Sequence, residues 1–333
     1  MSNVIRAFDE LGYHITFEYN AKGVQMHSDN PRIDRHVAFE PSMMKTHEEK
    51  LAFQKRHKRI QGEYDVYVNF SGSLEDSLIA PEESPEYFWP LHLRRAKNSH
   101  ICYYDQSMKW AGLTATEYMG WSGEIWSTKE DHEYIKKWLD PYKDHFIILW
   151  ALRGSMWQKA IYPIVKDICD QWCKMHPETV IITTGDDFCR QWEWEHPNVV
   201  HKSGRMPYRQ VMLISRYVDM VVTPETGLGI AAGAYGTPKI MLLTAASLKN
   251  IVGNDKNDFS LQSDAWCSPC TRAIYNTDNC PTMEFDHLTV QNEKVRLPIC
   301  VDFKKERVIS RMQEIFDAGI PRRWDAPDRE VYV

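Results

Sequence analysis

The sequence contains no long hydrophobic run. No apolar stretch approaches the roughly 20 residues that a membrane-spanning helix needs. It has no excess of positive charge: the net charge is -6 and the pI is near 6.1, which argues against the broad basic surface of a nucleic-acid binder. The opening residues, MSNVIRAFDELGYH, lack the basic start and apolar block of a secretion signal. Eight cysteines at uneven spacing make no obvious disulfide framework, so a reducing, cytoplasmic setting is expected. Several catalytic motifs are missing: there is no His-Glu-x-x-His, no Gly-x-Ser-x-Gly, no Walker A loop and no Asp-x-Asp pair. No Gly-x-Gly-x-x-Gly follows a strand, which ranks a dinucleotide-dependent enzyme last.

At 333 residues the chain is long enough for two domains with sizeable cores. The twelve tryptophans read first as core packing and surface loops, and sugar-stacking aromatics are the second reading. Val4, Ile5, Phe8 and Leu11 recur at helical spacing, and Gly12 ends that helix. Strands are expected over 14–19, 36–39 and 65–70, and a charged helix over 48–60. Shorter helices are expected near 114–119 and 130–139. From 146 onward strands and helices alternate: strands at 146–152, 180–184, 218–223 and 239–243, helices at 157–175 and 207–217. Such alternation predicts a parallel sheet covered on both faces. Residues 245–305 look irregular, and 306–318 reads as a last helix. The expected division is an N-terminal domain over 1–140, a C-terminal domain over 141–310 with a cysteine-containing loop at 265–300, and a helix end and tail over 311–333.

In an open parallel sheet, ligands bind beyond the carboxyl ends of the strands. Four polar loops fall there: Arg153-Gly154-Ser155, Thr184-Gly185-Asp186-Asp187, Ser203-Gly204-Arg205 and Glu225-Thr226-Gly227-Leu228. Arg153 and Lys159 supply positive charge, and Ser155, Thr226 and backbone N–H groups supply donors. A departing nucleotide diphosphate needs such a cradle. A carboxylate such as Glu225 or Asp186 suits ribose or sugar hydroxyls. The plainer readings are a solvated helix start for Arg153 and Lys159, a helix N-cap for Glu225 and turn chemistry for Asp186 and Asp187.

Residues 225–232, Glu-Thr-Gly-Leu-Gly-Ile-Ala-Ala, with Gly236-Thr237-Pro238 before the next strand, resemble the signature of glycosyltransferase family 9, the ADP-heptose:lipopolysaccharide heptosyltransferases. Glu225 stands where that family has aspartate, and Ile230 where it usually has histidine. Arg153-Gly154-Ser155 with Lys159 is similar to its phosphate-binding loop, and residues 184–187 to the loop near the donor nucleoside. The resemblance implies a GT-B fold, an α/β architecture of two Rossmann-like domains facing a cleft. It implies transfer of a heptose-like sugar from a nucleotide diphosphate donor, with an ADP-sugar favoured, to a glycan or lipid-linked glycan, lipopolysaccharide core being the family's usual acceptor. Nucleotide-sugar contacts are then expected from Arg153, Ser155, Lys159, Thr184, Gly185, Asp186, Glu225, Thr226, Gly227 and Leu228, with no catalytic metal.

The family's first strand and its Gly-Asp loop, which carries the general base, are not in this sequence; the match begins at the helix over 2–11 and continues to Asn30-Pro31. Glu75 and Asp76, after the expected strand at 65–70, are the candidates to replace that base, with a helix-start carboxylate as the plainer reading. A catalytically inactive relative that binds nucleotide or glycan, or serves as an assembly subunit, is the competing expectation. Cys267-x2-Cys270, Cys280 and Cys300 form a further constellation suited to tetrahedral structural zinc; the later gaps of nine and nineteen residues are irregular. Free thiols are the first reading there, structural zinc the second, and a disulfide suits the cytosol least. Cys102, Cys169, Cys173 and Cys189 read as small apolar residues, with Cys169 and Cys173 sharing a helix face.

Overall fold

The structure is a computed structural model that describes residues 1–19, 21–38, 47–70, 78–82, 84–160, 165–274, 280, 283–290, 293–324 and 331–332. The first half opens with α1 (Ser2–Glu10), whose Val4 and Ala7 pack on Met108 and Leu113. Next come β1 (Thr16–Tyr19), α2 (Ala21–His27) and β2 (Arg35–Ala38); the two strands pair in parallel with Thr16 opposite Arg35. The charged helix α3 spans His47–Gln61. Residues 65–70 differ from expectation: they carry strand-type side chains, yet no strand forms there among the described residues, and Val66 is exposed. A strand exists by its ladder of hydrogen bonds, and among the described residues β1 pairs only with β2. Two helices unforeseen in the sequence follow, α4 (Leu91–Asn98) and α5 (Tyr103–Trp110), then β3 (Ser127–Thr128) and α6 (Lys129–Leu139). Thr128 starts α6 with a capping box closed by Asp131, and the helix buries Ile135 and Leu139.

The second half is a parallel sheet. Its strands are β4 (Phe146–Ala151), β5 (Thr179–Thr184), β6 (Val199–His201), β7 (Met220–Pro224), β8 (Lys239–Leu243) and β9 (Leu261–Gln262), in the order β6-β5-β4-β7-β8-β9. Alternate side chains of each strand face opposite layers. Ile148, Trp150, Ile181, Met220, Val222 and Ile240 meet α7 (Val165–Met175) and α11 (Lys305–Ala318). Ile147, Leu149, Val180, Ile182 and Val221 meet α6, α8 (Tyr208–Ile214) and α9 (Gly227–Tyr235). Both layers are buried, which is why these strands read as continuous apolar runs rather than alternating ones. Each such side chain contributes about 1.5–3 kcal/mol by leaving water. Cys169 and Cys173 lie together in the first layer, on one face of α7.

The helix expected over 157–175 is a single 3-10 turn at Trp157–Lys159 and the α-helix α7. The region 245–305 holds α10 (Leu248–Val252) and an antiparallel hairpin of β10 (Met283–Val290) and β11 (Glu293–Pro298). A two-residue strand β12 (Val331–Tyr332) pairs with β3. Among the described residues no helix is long and apolar enough to cross a membrane.

Candidate functional site

The strand order places a topological switch point between β4 and β7: from β4 the chain first moves outward through β5 and β6, then returns to the other side at β7. In open α/β sheets the crevice for ligands lies at such a switch point, outside the carboxyl ends of the strands, where the loops leaving β4 and β7 stand. Arg153, Gly154 and Ser155 follow β4. The Gly154 N–H donates to the Lys159 carbonyl at 2.5 Å, folding the loop so that Lys159 comes back over β4. A Cβ at Gly154 would lie 2.7 Å from Lys159 Cβ and 3.2 Å from Thr226 Cγ2, so the β4 and β7 loops touch at this glycine. Gly154→Ala is expected to cost about 1–3 kcal/mol, the scale of an overpacked site. Urea unfolding would read this, and an unchanged midpoint would show that the loop contact is not needed.

Glu225 occupies a different place from the one expected of it. Its side chain is only 2% exposed. Its Oε1 accepts the backbone N–H groups of Thr244 at 2.5 Å, Ala245 at 2.8 Å and Ala246 at 3.2 Å, and the Thr244 hydroxyl at 3.3 Å. Its Oε2 has no hydrogen-bond partner and lies 3.9 Å from Lys159 Nζ. The carboxylate thus pins the turn after β8 to the turn after β7 and gives Lys159 a counter-charge. Oε1 is thus saturated by the scaffold, and the buried side chain holds the two turns together.

Thr226 is the N-cap of α9: its carbonyl accepts the Gly229 N–H at 3.1 Å, while its hydroxyl pairs with that of Thr223 at 2.7 Å rather than with the helix. The start of α9 therefore presents backbone donors and the positive end of the helix dipole toward the crevice. Gly227 sits against the Tyr208 hydroxyl, leaving no room for a Cβ. Leu228 is buried in the sheet core, so its side chain is structural. Ile230 packs against the apolar cluster containing Leu78, Ile79 and Met241. A histidine there would have to bury a polar ring among these groups, which accounts for isoleucine at that position.

On the other side of β4, Thr184 is buried and its carbonyl accepts the Leu152 N–H at 2.9 Å. Asp186 is exposed and caps the following 3-10 turn through the Cys189 N–H at 3.2 Å, while Asp187 pairs with Arg190 at 2.8 Å. Gly185 lies against Cys189, and its carbonyl accepts the Gly204 N–H at 2.8 Å. Burial, with Asp186 beside it, pushes the Cys189 thiol up to about 12, so it stays a neutral packing group. The Arg153 guanidinium stands 5.2 Å from the Trp157 ring and 4.6 Å from the Phe188 ring, and its Nε has no partner. Phe188 and Tyr208 line this region without having been singled out in the sequence: neither belongs to a polar loop motif. Arg153, Gly154, Lys159, Glu225 and Thr226 come together, and the 184–187 loop flanks them through Phe188. Glu75 and Asp76 lie outside the described residues.

Cys267, Cys270, Cys280 and Cys300 all line one cavity of about 330 Å³, together with Arg94, Arg272 and Gln158. None of the four is in a disulfide, and no three metal-ligating side chains among the described residues are gathered closely enough to hold an ion.

No family model matches the chain, and no curated protein matches its sequence. Solved structures do match its fold. The glycosyl transferase family 9 protein from Veillonella parvula DSM 2008 superposes with a TM-score of 0.63 at 13% identity, over 95% of this chain and 94% of that one. ADP-heptose LPS heptosyltransferase II of E. coli gives 0.57 at 11% identity, over 96% and 95%. At these identities the likeness is one of fold: the chain has the GT-B architecture of these glycosyltransferases, a mixed α/β fold with parallel sheets.

Proposed function

We propose that this protein is a glycosyltransferase that moves a heptose-like sugar from a nucleotide diphosphate donor to a glycan or lipid-linked glycan. The observation that carries this reading is Lys159, an ammonium folded back over the switch point, 3.9 Å from a carboxylate already committed to the scaffold. An anion in the crevice would meet Lys159, Arg153 and the Ser155 hydroxyl on the β4 side, and the donors of Thr226, Gly227 and Leu228 at the start of α9 on the other. Neutralising the departing diphosphate is the main electrostatic demand of such a transfer. Thr184, Gly185 and Asp186 would flank the nucleoside, with the exposed Asp186 carboxylate suited to ribose hydroxyls. The fold likeness to a heptosyltransferase favours an ADP-sugar. Glu75 and Asp76 keep their assignment from the sequence as candidates for the base that takes the acceptor proton.

Isothermal titration with ADP-, UDP-, GDP- and CDP-sugars tests the proposal, and silence toward all four by folded protein would sink it. For the sugar that binds, Lys159→Ala is expected to weaken affinity by about 1.5–3 kcal/mol, the scale of a charged hydrogen bond. That is roughly 10- to 150-fold in Kd. A loss well below tenfold would remove Lys159 from the phosphate site. Binding without sugar transfer to any acceptor would identify an inactive relative.

A further inference from the structure

We propose that Tyr208 is a further binding residue of the crevice, its phenolic hydroxyl donating to a phosphate oxygen of a nucleotide diphosphate held at the start of α9. The inference rests on the functional reading above and adds to it a residue that no polar loop motif pointed to.

The first turn of α9 is left with unused donors. An N-cap hydroxyl ordinarily accepts from the second or third N–H of its helix. The Thr226 hydroxyl is instead engaged with Thr223, and only the Thr226 carbonyl meets the turn, through the Gly229 N–H. Among the described residues the N–H groups of Gly227 and Leu228 donate to no protein acceptor. Leu228 is 2% exposed, and a buried N–H without an acceptor is rare in folded proteins. Lys159 is buried too. Its Nζ lies 3.9 Å from Glu225 Oε2 and makes no hydrogen bond among the described residues. Two backbone donors and a buried ammonium, all without an acceptor, suit an anion.

Tyr208 brings another donor to the same end of the helix. A Cβ at Gly227 would overlap the Tyr208 hydroxyl oxygen and lie 3.5 Å from ring carbon Cζ, so the hydroxyl stands against the first residue of α9. That hydroxyl makes no hydrogen bond among the described residues. Tyr208 is 46% exposed, so core packing does not account for the side chain. A phenol carries its proton at neutral pH, so the hydroxyl can donate. Its neighbours fix its place. Pro207, the N-cap of α8, sets the backbone before it at φ -56°. Arg209, after it, donates to the Gln25 carbonyl at 2.6 Å, to Asp29 at 2.5 Å and to Asp131 at 2.6 Å. A hydroxyl held in advance beside unused N–H groups loses little freedom when an anion arrives.

The test is titration of the full chain with ADP, UDP, GDP and CDP, the unaltered protein beside Tyr208→Phe and Lys159→Ala. For the diphosphate that binds, Tyr208→Phe is expected to weaken affinity about tenfold or more, from the lower end of the range for a hydrogen bond to a charged group. Competition by the corresponding free nucleoside should be equal in the unaltered and Phe proteins. If Lys159→Ala weakens binding while Tyr208→Phe stays within about twofold, the Tyr208 assignment falls and the donor site stands. An equal loss for nucleoside and diphosphate would also overturn the assignment. If no diphosphate binds the unaltered chain, both readings fall. A double variant checks the placement of the hydroxyl. Gly227→Ala should destabilise the fold by forcing the hydroxyl aside, and adding Tyr208→Phe, which leaves room for the new methyl group, should restore stability without restoring affinity. No recovery of stability in the double variant would overturn the contact on which the proposal stands.

Discussion

Glu225→Ala is expected to lower the unfolding free energy by about 3–5 kcal/mol, the range for removing one partner of a buried charged network. The loss arises because Oε1 accepts from the N–H groups of Thr244, Ala245 and Ala246, and no other acceptor is bonded to them. Buried donors left unpaired each cost about 1–3 kcal/mol, though the relaxed turn would recover part of this. Lys159 would lose its counter-charge as well. Glu225→Gln separates the two effects, since its amide oxygen can still accept from the turn. It should keep most of the stability while changing the charge beside Lys159. Urea unfolding followed by both fluorescence and circular dichroism reads the result; coincident traces are needed because a chain of this size need not unfold in two states. Equal loss in Gln and Ala variants would show that charge, rather than the pinned turn, is what Glu225 supplies.

The second large effect lies beneath α9. The Lys239 and Asp255 side chains are completely buried and bonded to each other, and Lys239 Nζ also donates to the Gly229 carbonyl at 3.1 Å. A Cβ at Gly233 would lie 2.5 Å from Asp255 Oδ2 and 2.7 Å from Lys239 Nζ, so the pair occupies the room this glycine leaves. Lys239→Met should cost about 3–5 kcal/mol by leaving a buried carboxylate unmatched, whereas Lys239→Met with Asp255→Leu should regain much of that. If the double variant is no more stable than the single one, the pair is not the source of the loss. The pH dependence carries a definite sign. Burial holds the Asp255 carboxyl above the usual range even with its lysine present, and removing the lysine raises it further. A folded-state pKa above the unfolded value favours folding at low pH, so the deficit of Lys239→Met should shrink as pH falls below the folded-state pKa toward the unfolded one.

The sheet was legible because β4, β5, β7 and β8 are buried on both faces and so appear as unbroken apolar runs. The loops at their carboxyl ends could be named for the same reason. What a linear reading missed depends on which loops touch. The Glu225 carboxylate looks the same in sequence whether it faces a sugar or three backbone N–H groups of Thr244–Ala246. Lys239 begins an apolar run and gives no sign that its ammonium ends in the core. Residues 65–70 show the opposite error: a good strand composition that pairs with no strand among the described residues. The strands at 283–290 and 293–298 are missed when the whole stretch 245–305 is read as irregular, although Met283 and Phe285, and Val295 and Leu297, alternate with polar residues as strands do.

The six-stranded sheet ends in strands of three residues, β6, and two residues, β9. An unpaired sheet edge is a template on which another extended chain can add itself, and its reach is set by how many backbone groups it offers in a row. Neither rim offers enough to seat a foreign strand in a fixed register. Rims this short are one of the ways in which natural sheets blunt their edges against the addition of another strand.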